Sequence, residues 1–113
     1  MERIGQIIHL KPETIAEYKR LHADVWPSVL KTIAACNIRN YSIFLKEPEN
    51  LLFAYFEYHG TDYAADMEKM AADPETQRWW KLCGPMQEPL ETRQEGEWWA
   101  MMEPVFYTDQ AKE

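Results

Sequence analysis

The sequence predicts an α+β fold, an antiparallel sheet of βαββαβ order with its helices packed on one face. Three observations lead there. Runs of strand period and runs of helix period follow one another in that order along 113 residues. A hydrophobic share of 46 % is enough for one continuous core, and hence for one domain over residues 1–107 with 108–113 as a C-terminal tail. The stretch LLFAYFEY is apolar on both faces, with Leu51, Phe53 and Tyr55 opposite Leu52, Ala54 and Phe56. Both faces of such a strand must be covered. Helices cover one, and a second copy of the chain is expected to cover the other in a symmetric homodimer whose sheets pack face to face.

The elements follow in order. RIGQIIHL sets Ile4, Ile8 and Leu10 on one side and Gly5, Ile7 and His9 on the other, a strand pattern. Lys11-Pro12-Glu13 opens a helix, because a first turn has no use for the N–H that proline lacks. Ile15, Tyr18, Leu21, His22, Val25 and Trp26 recur at helical spacing and make one apolar face. Pro27 kinks or restarts that helix, which ends near Asn37. NYSIFL and LLFAYFEY are two strands of a hairpin joined by Lys46-Glu47-Pro48-Glu49-Asn50. Asp62 caps a helix through about Ala72, Asp73-Pro74-Glu75 starts another that carries RWWKL to Cys83, and Gly84-Pro85 stops it. Residues 86–97 are polar and lack an apolar period, which reads as a surface loop. WWAMMEPVFY is the last strand, with Pro104 arguing for an edge or a bulge.

Composition narrows the function. With 12 Lys plus Arg against 19 Asp plus Glu, the chain repels phosphate backbones and anionic membrane surfaces, so neither nucleic acid nor membrane is an expected partner. Cys36 and Cys83 lack CxxC spacing and the N-terminus has no export-signal pattern, which points to reduced thiols in the cytoplasm. His9, His22, His59 and the cysteines share no metal-ligand spacing, four scattered glycines make no phosphate loop, and no nucleophile motif is present. No metal and no cofactor are expected.

Tyr18, His22 and Trp26 stand four residues apart in EYKRLHADVWP, so on a helix they share its apolar side. One reading is a core histidine satisfied by a hydrogen bond. The other places His22 on the wall of an aromatic cavity, where an imidazole takes and gives protons near neutral pH, with Tyr18 as a second relay or a hydroxyl anchor. Trp79 and Trp80 differ by about 100° around a helix, so at most one sits deep in the core. The pair is either a core and an interface tryptophan or a flat platform for the C–H face of a sugar. Tyr41 shares a strand face with Ile43 and Leu45, either as sheet packing or as a phenol that reaches a ligand hydroxyl. Trp98 and Trp99 would point to opposite faces of the last strand, putting one of them at the cavity.

The motifs EYKRLHADVWP, NYSIFL, NLLFAYFE, QRWWK and the terminal EPVFY occur in the order and nearly the spacing of the L-rhamnose mutarotases, which the chain closely resembles over most of its length. The resemblance implies a dimeric ferredoxin-like α+β barrel that interconverts the α and β anomers of a 6-deoxy-L-hexose, L-rhamnose foremost, without cofactor or metal. It implies His22 as the proton donor, and Tyr18, Tyr41, Trp79 and Trp80 as the sugar-binding positions. One stretch departs. A loop rich in Asn, Pro and Asp commonly follows the RWW helix in the family, where this chain has MQEPLETRQEGEWWAMMEP, so L-fucose or another aldose stands as the rival sugar.

The reaction opens a hemiacetal and recloses it on the other face, which takes one acid and one base beside the anomeric carbon. His22 is expected to donate to the ring oxygen, and Tyr18 or a bound water to handle the anomeric proton. Two other classes fit the same fold: a cofactor-free oxygenase or haem-handling enzyme, and a non-catalytic sugar-binding or dimerisation module in which His22 is only packed.

Overall fold

The computed structural model describes residues 1–109. Nine strands and helices run in the order β1 Glu2–Leu10, α1 Ile15–His22, α2 Pro27–Ala35, β2 Ile38–Lys46, β3 Leu51–Tyr58, α3 Tyr63–Ala72, α4 Pro74–Cys83, β4 Gln87–Glu88 and β5 Ala100–Met102. The sheet order is β2-β3-β1, with β4 and β5 both on the far edge of β1, and all pairs are antiparallel. Every helix lies on one face. Among the described residues no helix is long and apolar enough to cross a membrane.

Local chemistry explains the helix starts. Pro27 and Pro74 occupy first-turn positions, and Pro12 opens a short 3-10 turn that leads into α1. The Asp62 carboxylate accepts from the Ala65 N–H at 3.1 Å, and Asp73 accepts from the Thr76 N–H at 2.9 Å. The alternation of β3 is complete, with Leu52, Ala54, Phe56 and Tyr58 buried under the helices and Leu51, Phe53 and Tyr55 half-buried on the opposite face. Ile8, Leu10 and Leu52 lose almost all contact with water, and each such aliphatic side chain contributes about 1.5–3 kcal/mol relative to exposure.

Three expectations change. The helix through the aromatic stripe ends at His22, and Trp26 instead caps α2, because Pro27 has no N–H for a continuous helix. The last strand is not WWAMMEPVFY. Its place on the β1 edge is shared by β4 and β5, with the intervening chain broken by Pro89 and by Gly96 at φ 87°, so Trp98 and Trp99 precede β5 and do not alternate along it. The loop expected over residues 86–97 accordingly starts with a short strand and a buried Gln87. Pro104 lies beyond β5, and the tail is extended, with Val105 and Phe106 exposed while Tyr107 lies under the Arg3 guanidinium, 3.3 Å from ring centroid to Cζ. Of the expected tail 108–113, residues 110–113 lie outside the described residues.

The turn after β3 is closed by a small polar cluster. The Tyr58 hydroxyl donates to Asp66 at 2.5 Å and accepts from the Asp62 N–H at 3.0 Å, and Asn37 donates to the same Asp66 oxygen at 3.0 Å. Gly60 leaves the space that this cluster fills, since a Cβ there would overlap the Tyr58 hydroxyl and crowd Asp66. Gly60→Ala should therefore cost about 1–3 kcal/mol through overpacking. Denaturant unfolding checks this, and an unchanged midpoint would mean that the turn relaxes freely.

Candidate active site

A cavity of about 1020 Å³ opens between the helices and the inner face of the sheet. Tyr18 and His22 from α1, Tyr41 and Ile43 from β2, and Trp79 and Trp80 from α4 all line it. Thus the five residues singled out from the sequence share one space, although they come from three separate elements. Helical spacing in α1 stacks the Tyr18 and His22 rings, with centroids 4.0 Å apart and planes 22° from parallel. Trp79 meets His22 edge-on at 5.3 Å and Trp26 edge-on at 5.1 Å, so the aromatic stripe is gathered around the α4 indole even though the helix itself is broken.

The two neighbouring tryptophans divide as their 100° separation requires. Trp79 is 7 % exposed and belongs to the core with Ile8, Leu10, Tyr18, Leu21, Val29, Leu52 and Cys83, whereas Trp80 is 46 % exposed at the cavity. Of the two, Trp80 is the one available as a stacking surface.

The histidine is set by one hydrogen bond. His22 Nδ1 lies 2.8 Å from the Tyr18 carbonyl oxygen, which can only accept, so Nδ1 carries the proton in the neutral ring. Nε2 then holds the lone pair and has no protein partner among the described residues. Burial lowers the His22 pKa, against the smaller opposing effect of the Tyr18 carbonyl, so the neutral ring is favoured at pH 7.

The phenols are tuned the other way. Burial raises the Tyr18 pKa, a hydrogen bond from Gln87 works against that, and neighbouring Cys83 and Tyr41 add to the rise. Burial likewise pushes the Cys83 thiol up to about 11, and the phenol of Tyr41, a residue still 37 % exposed, is raised in the same direction. Near neutral pH the site therefore offers one proton acceptor, His22 Nε2, among protonated hydroxyl donors. Tyr41 reaches the cavity because β2 bulges between Arg39 and Ser42, with Asn40 at φ 53°, and its ring rests on Phe56 at 5.3 Å.

The family profile described as L-rhamnose mutarotase matches residues 3–108. The chain belongs to the L-rhamnose mutarotase family. Within the family, the chain is 38 % identical to the L-rhamnose mutarotase of Listeria monocytogenes over 86 residues, 76 % of this chain and 80 % of that one. It is 31 % identical to the L-rhamnose mutarotase of Pectobacterium atrosepticum over 115 aligned positions, 96 % of this chain and all of that one. The crystal structure of an L-rhamnose mutarotase from Formosa agariphila shares the fold, with a TM-score of 0.76 at 23 % identity over 96 % of this chain and all of that one. The ferredoxin-like architecture implied by the mutarotase motifs is the one observed.

Beyond the expected residues, Lys11 and Gln87 line the cavity of this family member, and so do both Trp98 and Trp99, of which one was expected there. Trp98 and Trp99 both reach it, because the bend before β5 releases them from strand alternation. Gln87 had no sequence signal, since a single glutamine in a polar, proline-flanked stretch carries no period. Among the described residues, no group of three or more His, Cys, Asp or Glu side chains is arranged to hold a metal ion.

Proposed function

We propose that this protein interconverts the α and β anomers of L-rhamnose, with His22 as the group that exchanges protons with the sugar. The observation that carries this is the His22 ring. Its Nδ1 is committed to the Tyr18 carbonyl and its Nε2 is open in an aromatic cavity, in a chain of the L-rhamnose mutarotase family.

In the opening half, neutral His22 takes the proton of the anomeric hydroxyl at Nε2. The O1 lone pair forms the aldehyde, the bond from C1 to the ring oxygen breaks, and that oxygen takes a proton from the Tyr18 phenol or from a water bonded to it. Rotation about C1–C2 and the reverse transfers close the other anomer, with the His22 imidazolium as proton donor to O1. The tautomer thus moves the donor role of His22 from the ring oxygen to the closing step at O1. No group outside the chain has to supply or remove electrons. The proton transfers need only the ordinary general acid–base contribution, since the reaction also runs in water.

Saturation transfer between the α and β anomeric protons of equilibrated L-rhamnose, with and without protein, tests the reading. Exchange with L-fucose and not with L-rhamnose would change the sugar, and no exchange with any common aldose would remove the mutarotase reading. The rate should rise with pH through an ionisation below 6.5 and level off near neutrality, because burial depresses the His22 pKa and the neutral ring is the working form. A rate that falls over the same range would make the imidazolium the resting catalyst.

The homodimer belongs to the same proposal. Phe44 on the sheet face away from the helices is 65 % exposed, and Val105 and Phe106 in the tail are 88 % and 81 % exposed, apolar surface that a second copy would cover. Sedimentation at micromolar concentration should give the mass of two chains, and a monomer would overturn this. The cytoplasm is the proposed compartment, in keeping with two free, buried cysteines.

A further inference from the structure

Gln87 bridges two aromatic side chains while only 9 % exposed. Trp98 Nε1–H donates to its Oε1 at 2.8 Å, and its Nε2 donates to the Tyr18 hydroxyl at 3.1 Å, a link between residues 69 positions apart. The direction of this chain is forced. An indole N–H can only donate, so the amide must turn its oxygen to Trp98 and its NH₂ to Tyr18. The Tyr18 oxygen therefore accepts from Gln87, and its single proton has to leave in another direction. No described protein group accepts that proton, and Tyr18, Gln87 and Trp98 all line the cavity, which leaves the cavity as its direction.

We propose that Gln87, oriented by Trp98, is a positioning residue that keeps the Tyr18 hydroxyl as a proton donor aimed at a sugar oxygen. Tyr18 then sets the polarity of both groups on the site wall. Its carbonyl fixes His22 as an acceptor at Nε2, and its phenol is fixed as a donor, on rings stacked at 4.0 Å. Opening a hemiacetal requires that pairing, one group to receive the O1 proton and one to support the ring oxygen. The sugar as recipient rests on the mutarotase reading, whereas the orientation of the hydrogen bonds does not.

Gln87→Glu tests the direction. The shape is kept and one carboxylate oxygen still accepts from Trp98, but the other now accepts from Tyr18 and draws its proton out of the cavity. When that carboxyl is protonated it can donate to Tyr18 as the amide did. The titratable side chains that share the cavity are Tyr18 and His22 from α1, Cys83 from α4, Tyr41 from β2, Tyr63 from α3, and Lys11 just after β1. All remain in the wild type, so the quantity to read is the ratio of variant to wild-type anomer exchange at each pH, with the uncatalysed rate subtracted from both and only where the wild type exceeds it. It should be near one at low pH and fall at least tenfold as the new carboxyl ionises. A ratio that does not change with pH, at any level, overturns the proposal.

Gln87→Met supplies a readout independent of activity. The indole N–H proton resonance of Trp98 should move upfield in Gln87→Met and stay at or downfield of its wild-type place in Gln87→Glu, with both variants folded by circular dichroism. An unmoved resonance in Gln87→Met overturns the orientation whatever the exchange rates show. A wild type that exchanges no aldose removes the mutarotase reading, and with it the sugar as recipient, while the resonance still decides the orientation.

Discussion

Replacing His22 with Asn should slow anomer exchange by about a hundredfold or more, close to the uncatalysed rate, while the fold is retained. The Asn amide can donate to the Tyr18 carbonyl as Nδ1 does, so the local backbone contact survives. It cannot take a proton at neutral pH. Sugar binding should change little if Trp80, Tyr41 and Tyr18 hold the sugar, because those cavity side chains are left in place. Saturation transfer gives the rate, thermal unfolding gives the stability, and the acid limb of the wild-type pH profile should vanish in the variant. If most of the exchange rate remains with an intact melting curve, His22 is a packed histidine and Tyr18 becomes the next residue to replace.

Trp79→Ala should have the largest effect on stability. The side chain is 7 % exposed and holds His22 and Trp26 edge-on, so its removal empties the centre of the core under α1 and α4. Truncations of this kind cost about 3–5 kcal/mol, a large part of the roughly 5–15 kcal/mol that stabilises an ordinary domain. The melting temperature should drop by about 12 °C or more, and exchange should be lost with it because the wall behind His22 is gone. Trp80→Ala is the control. At 46 % exposure it should leave the melting temperature nearly unchanged and weaken sugar binding by about 1–3 kcal/mol if its indole stacks on the sugar, a change that intrinsic fluorescence titration can follow. Equal melting temperatures for Trp79→Ala and wild type would contradict the core placement, and unchanged affinity in Trp80→Ala would remove the platform.

The two tryptophans also mark how far the sequence reaches. Adjacency on a helix is enough to say that only one of Trp79 and Trp80 can be deep, yet it does not say which. That depends on the roll of α4 against α1 and the sheet. In the same way EYKRLHADVWP announces an aromatic cluster, and the cluster exists, but its members meet through Trp79 and not along one continuous helix.

What the sequence determined by itself is local and periodic. Proline and aspartate at helix starts, alternation in β1 and β3, and the helical recurrence of Tyr18 and His22 all follow from sterics and burial within a few residues of chain. Those rules, with the mutarotase motifs, were enough for the element order as far as Cys83, the sheet face and five cavity residues. Tertiary structure alone decided the division of the edge strand into β4 and β5, the reach of Trp98 and Trp99 into the cavity, and the bridge from Trp98 through Gln87 to Tyr18. The physical reason is that a hydrogen bond has a direction and a distance but no period. Partners far apart in the chain leave no pattern in it, and only the packed structure sets which way a proton points.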